Sequence, residues 1–121
     1  MNYLNNYRTI RYADVLLMAA EAQAKAPAAN EAKAREYLNM VRKRAFGDDN
    51  HDISASGTAL QQAILEERRL ELAMEGDRFF DLVRTKTAAS KIPGFVTGKH
   101  EVFPIPMDEV TISGLSQNPG Y

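Results

Sequence analysis

Between Arg11 and Phe46 two runs of apolar residues recur at three- and four-residue spacing, separated only by Pro27-Ala28-Ala29-Asn30, and this pattern constrains the fold more than any other feature. In the first run Tyr12, Val15, Leu16, Ala19, Ala22 and Ala26 share one helix face. Leu17, Met18 and Ala20 widen that face while Asp14, Glu21 and Lys25 hold the remaining side, so the helix is expected to pack on more than one neighbour. Pro27 biases Ala26 away from the helical region and ends the run. Asn30 then offers a cap, and Glu31 a first-turn acid, for a second helix reaching Phe46. Its inner stripe is Ala34, Leu38, Val41 and Ala45, with Tyr37 on the shoulder. Arg42, Lys43 and Arg44 sit where the helix dipole favours cations, and Gly47 supplies a left-handed stop. So short a link makes the two helices antiparallel, a hairpin over residues 11–46 of tetratricopeptide-like length, although no second copy recurs at a fixed offset.

Asp48 to Gly57 reads as a polar loop. Thr58 with Gln61 forms a capping box for a third helix, and Gly76 interrupts before Asp77 opens a fourth, shorter one ending near Thr85. Residues 58–86 are therefore helical. From residue 87 to 121, prolines and glycines at 93, 94, 98, 104, 106, 114, 119 and 120 leave an irregular tail of extended chain and turns. A short strand around Glu101 to Phe103 is its one regular candidate. The expected architecture is a mostly α single domain over 1–121: a helical hairpin, two further helices and a Pro/Gly-rich tail. Phe79, Phe80, Met18, Met40 and Met74 fall on apolar helical positions and are assigned to the core.

Charge and composition narrow the function. Fifteen Lys and Arg against sixteen Asp and Glu leave no basic excess to neutralise phosphates, so nucleic acid is not an expected partner. With no cysteine there is no thiolate nucleophile, disulfide or Cys-ligated metal site. The longest apolar run, Val15 to Ala20, is far shorter than the roughly 20 residues that span a bilayer. The N-terminus lacks the basic start and apolar stretch of a signal peptide. No Gly-rich phosphate loop or nucleophile elbow occurs.

The densest signal is Glu66 to Arg84, which holds six acids and four arginines in nineteen residues. On a helix Glu67, Arg68, Glu71 and Glu75 continue the stripe begun by Leu60 and Ile64, so ionic groups stand where the period calls for burial. Charges tolerate burial only when paired and hydrogen-bonded. Glu67, Arg68, Glu71, Glu75 and Arg78 are therefore expected to form a structural ion network, Arg68 meeting Glu71 at i+3 and the whole pinning the third helix to the fourth and to the tail. The catalytic alternative, Glu67 and Glu71 as acid and base, fares badly beside four arginines, because a general acid needs a raised pKa. No Glu-x-x-His pair is present to bridge metals.

Asp48, Asn50 and Asp52 match the first three ligand positions of an EF-hand, but Ile53 stands where Gly is required and Ala59 where a bidentate Glu is required. His51 and His100 have no partner at ligand spacing. No catalytic, metal or cofactor residue is assigned. Tyr3, Tyr7 and Phe95 are aromatics in non-helical contexts where a sugar ring could stack.

Four motifs in order resemble the C-terminal part of the SusD/RagB family. They are Arg11-Tyr12-Ala13-Asp14-Val15-Leu16-Leu17-Met18-Ala19-Ala20-Glu21-Ala22 with Val41-Arg42-Lys43-Arg44-Ala45; the Glu67-Arg68-Arg69 to Glu75-Gly76-Asp77-Arg78-Phe79-Phe80-Asp81-Leu82 signature; Pro104-Ile105-Pro106 with Asp108-Glu109-Val110; and Gln117-Asn118-Pro119-Gly120-Tyr121. The resemblance implies a helical, tetratricopeptide-like, surface-exposed outer-membrane lipoprotein that binds glycans and acts as a lid on a SusC-like TonB-dependent transporter, without being an enzyme. Family members are several times longer and begin with a lipid-anchored cysteine, so this chain reads as a C-terminal portion whose membrane link lies outside it. Sugar-contacting aromatics in the family lie largely upstream, and no ligand-contact residue is carried over. The contrasting reading is a free-standing helical interaction domain that docks a protein partner along the Ala-rich hairpin.

Overall fold

The computed structural model describes residues 9–121; Tyr3 and Tyr7, named above as stacking candidates, lie outside the described residues. Every regular element in it is a helix, and the chain divides into two compact units, Met1–Asp77 and Arg78–Tyr121.

The first unit contains α1 (Tyr12–Lys25), α2 (Glu31–Phe46) and α3 (Gly57–Glu71). Ala26, held extended ahead of Pro27, ends α1. The Asn30 side chain accepts the Lys33 N–H at 3.0 Å and opens α2. Gly47 closes it at φ 84, its N–H donating to the Lys43 carbonyl at 2.8 Å. The capping box expected at Thr58 is not the device that starts α3. The helix begins one residue earlier, Ser56 gives it no side-chain cap, and the Gly57 N–H donates instead to the Glu31 carboxylate at 2.8 Å.

Leu16, Leu17, Ala20 and Ala24 of α1, Ala34, Leu38 and Val41 of α2, and Leu60 and Ile64 of α3 form one core. Three alanines at the contact let the helix axes approach closely, and each fully buried Leu or Ile contributes about 1.5–3 kcal/mol. α1 packs on both α2 and α3, so its inner face is 16, 17, 20 and 24 rather than 12, 15, 19, 22 and 26. Tyr12, Val15 and Met18 are turned out, and Glu21, placed on the polar side by sequence, is buried. Met40, Met74, Phe80 and Ala45 are likewise exposed, which removes them and Met18 from the core; Phe79 is half-buried.

The polar loop after α2 is tied down by that helix. The Asn39 amide donates to the Ile53 carbonyl at 3.1 Å and accepts the Ile53 N–H at 2.9 Å, while Arg42 reaches the His51 carbonyl at 2.7 Å. Asp48 accepts the Asn50 N–H and Asp49 pairs with Lys43, and among the described residues no group of three acidic or histidine side chains clusters to hold a metal.

In the second unit are α4 (Asp77–Arg84, its first residue at the boundary), α5 (Ala88–Lys91) and α6 (Met107–Ser113). The tail is thus more helical than its proline content implies. Pro106 precedes α6, Asp108 and Glu109 occupy its first turn, and Gly114 ends it in the left-handed region. Among the described residues no strand forms at Glu101–Phe103. Pro104 and Pro106 remove two ladder donors on either side of Ile105, so side chains satisfy this stretch instead. Gln117 accepts the Ile105 N–H at 2.7 Å and donates to its carbonyl at 2.8 Å, Asn118 donates to the Phe103 carbonyl at 2.6 Å, and the Tyr121 hydroxyl donates to the Val102 carbonyl at 3.0 Å.

Candidate functional site

The acids and arginines of α3 and of the turn after it meet partners far away in sequence. Arg68, only 6% exposed, places its Nη1 2.6 Å from Asp14 Oδ1 on α1. Glu67, buried beside it, accepts from Arg42 Nη1 on α2 at 2.5 Å. One turn on, Glu71 takes Arg11 on one carboxylate oxygen at 2.8 Å and Arg44 on the other. Arg11 also donates to the Glu71 backbone carbonyl at 2.8 Å, one of the orphan acceptors at the end of α3. Its Nε and Nη2 then close on Glu75, the shortest contact being 2.6 Å. One guanidinium thereby joins the residue preceding α1 to the last carboxylate of α3 and to Glu75 in the turn after it.

The helical period explains this alignment. Positions 60, 64, 67, 68 and 71 lie on one side of α3, apolar at its N-terminal half where it meets the core and ionic at its C-terminal half. The ionic end faces the start of α1 and the last turns of α2, whose Arg42 and Arg44 sequence reasoning had left to the helix dipole. Arg68 thus finds a partner on α1, a helix distant from it in sequence. Arg78 lies in the second unit and has no ion pair among the described residues. In that unit Asp81 is buried and pairs with Arg84 at 2.7 Å.

Asp14, Arg11, Arg42 and Arg44 are the contributors that sequence reasoning missed. A signal existed for Asp14, which stands three residues before the fully buried Leu17 and so shares its face.

Hydrogen bonds from Arg11 hold the Glu75 carboxyl below its ordinary range, and the same bonds raise the Arg11 guanidinium. This shift runs opposite to what a general acid requires. Among the described residues every buried side-chain nitrogen and oxygen has a hydrogen-bond partner, so the ionic face is chemically satisfied. No helix among them is long and apolar enough to cross a membrane.

A family model described as the SusD family matches residues 1–101. SusD-like protein P2 of Formosa agariphila is 34% identical over 96% of this chain, and SusD-like protein P25 of the same organism is 30% identical over 99%. Among solved structures, a SusD-like protein from Bacteroides fragilis superposes with a TM-score of 0.79 at 29% identity over 93% of the chain. A SusD homolog from Bacteroides thetaiotaomicron gives 0.79 at 34% identity over 92%. The chain spans about a quarter of the length of each: 26% of both Formosa proteins and 25% of both solved chains.

Proposed function

The chain belongs to the SusD family, and on that premise we propose that residues 1–121 act as one scaffold domain, the C-terminal portion of a surface nutrient-binding protein that captures glycan and hands it to a SusC-like TonB-dependent transporter. The work is capture and transfer without bond chemistry. It takes place at the outer membrane. The observation that carries this reading is the commitment of acids of α3 and of the turn after it to internal guanidinium partners: Glu67 to Arg42, Glu71 to Arg11 and Arg44, and Glu75 to Arg11. Carboxylates engaged in this way are structural, and Glu67, Arg68, Glu71 and Glu75 form a network that sets the end of α3 against α1 and α2. Arg78, grouped with them from the sequence, would serve through a partner other than these four.

The exposed Tyr12, Val15 and Met18 on α1 favour a second reading, a helical interaction domain that docks a protein partner along this face. Affinity purification of the tagged protein from the outer membrane of its native cell separates the two. Recovery of a SusC-like transporter in stoichiometric amount, with the tag sensitive to protease on intact cells, supports the nutrient-uptake reading. A soluble partner with no transporter, or a tag shielded inside the cell, overturns it.

A further inference from the structure

Two concavities in the second unit share one wall, the ring of Phe95. The first, about 300 Å³, is lined mainly by aromatic side chains: Phe79, Phe95, His100, Phe103 and Tyr121. The second, about 390 Å³, presents Lys86, Thr97 and Glu101 around the apolar Val83 and Ala89. Both sizes fall at the lower end of ligand cavities, roughly 300–1,000 Å³, and suit one small ring each.

The chemistry of the two lobes is complementary. Phe103 is 71% exposed and Tyr121 45% exposed, so broad aromatic surface remains accessible in a unit that buries few side chains. These groups are nonetheless fixed. The Phe103 carbonyl takes the Asn118 amide, the Tyr121 hydroxyl is spent on Val102, and the Lys99 ammonium sits 4.7 Å from the Tyr121 ring centroid. Gly120 makes that approach possible, since a Cβ there would lie 3.0 Å from the Lys99 side chain. His100 accepts the Val96 N–H on Nδ1, which leaves Nε2 as the donor nitrogen of the neutral ring.

In the second lobe Lys86 offers only donors, Glu101 only acceptors and Thr97 both. No ion pair joins Lys86 to Glu101 among the described residues, and one Glu101 oxygen already takes the Gly98 N–H at 2.8 Å. Lys86 is held at φ 57, a backbone conformation that a lysine adopts only at a cost, with its N–H donating to the Val83 carbonyl at 3.0 Å. An aromatic-lined lobe beside balanced donors and acceptors matches a polyhydroxylated ring, whose C–H face is drawn to aromatic π surface while its hydroxyls need both kinds of partner. A phosphate ligand would demand a cationic excess, and an amphipathic helix a continuous apolar groove.

We propose that these two lobes flanking Phe95 form an accessory subsite for a neutral disaccharide, one ring stacked against Phe103 and Tyr121 and the other hydrogen-bonded by Lys86, Thr97 and Glu101. The inference rests on the glycan-uptake reading above and adds a contact point within this chain. It is tested by following aromatic ring and amide NMR signals of the 121-residue chain titrated with maltose, cellobiose, lactose and mannobiose. Saturable shifts confined to Phe79, Lys86, Phe95, Phe103, Tyr121 and the 97–101 segment are expected for at least one sugar, with a Kd on the order of 1 mM.

Phe103→Ala should weaken that binding about tenfold, the scale of one lost ring contact. Lys86→Gly should weaken it about threefold. The glycine variant relieves the φ strain, so its loss is not a loss of fold, and far-UV dichroism checks the alanine variant. Absence of saturable shifts with all four sugars, shifts mapping to residues 12–75, or binding unaltered by both substitutions would overturn the subsite. Transporter recovery is read in a separate assay, so a failed titration beside a recovered transporter removes the subsite and leaves the functional reading standing.

Discussion

Replacing Arg68 with alanine probes the ionic face where it is driest. Arg68 lies 2.6 Å from Asp14, with side-chain exposures of 6% and 15%. Removing one partner of a buried pair costs about 3–5 kcal/mol, because the remaining charge is left desolvated without compensation. Asp14 retains some contact with water, which places the expectation near the lower bound, about 3 kcal/mol. For a chain of 121 residues each kcal/mol moves the midpoint by about 4 °C, so Arg68→Ala should melt ~12 °C below the parent. Urea unfolding followed by far-UV circular dichroism measures the difference directly. Asp14→Asn should also lose stability, because it removes the negative charge that faces the buried guanidinium. Joint replacement by Arg68→Met and Asp14→Leu should recover most of the loss, since an apolar pair of similar volume is often neutral. An Arg68→Ala midpoint within about 0.5 kcal/mol of the parent, the range of ordinary surface substitutions, would refute the reasoning.

Three further outcomes are expected. The Glu75 carboxyl titrates below its ordinary value, so its stabilisation is complete above that value and disappears as pH falls through the lower folded one; urea midpoints measured from about pH 5 down to pH 2 should fall less steeply for Glu75→Gln than for the parent. Gly47→Ala places a Cβ at φ 84 with nothing within 4 Å, so the cost is purely conformational, about 1 kcal/mol by urea unfolding. Gln117→Ala removes both bonds to Ile105, and hydrogen exchange at the Ile105 amide should accelerate about tenfold, matching a local loss of roughly 1–2 kcal/mol.

The hairpin was legible because its signals are local. Pro27, Asn30 and Gly47 act within a turn of themselves, and the helices end where those residues dictate. The rotation of α1 about its axis was not legible. Alanine, leucine and methionine populate both sides of it, so the apolar period admits two phases, and only packing against α2 and α3 selects the one that buries Leu17 and exposes Tyr12. In α6 the signal was present in Pro106, Asp108, Glu109 and Gly114 but was masked by the surrounding proline and glycine density.

For the ionic face, periodicity announced that Glu67 and Arg68 would be buried but was silent on their partners. Asp14 is 54 residues from Arg68 and Arg42 is 25 from Glu67, and no local rule reaches that far. Helical spacing points only to an i+3 partner for Arg68, and the packed helices supply one on α1 as well.

The central claim is that the carboxylates of α3 bind this scaffold together from within, and a double-mutant cycle on Arg42 and Glu67 tests it most directly. Arg42→Ala, Glu67→Ala and the double variant, each measured by urea unfolding, should give a coupling of at least about 1.5 kcal/mol, as for a short, mostly buried charge pair. A coupling indistinguishable from zero, with the two single losses simply adding, would contradict the account.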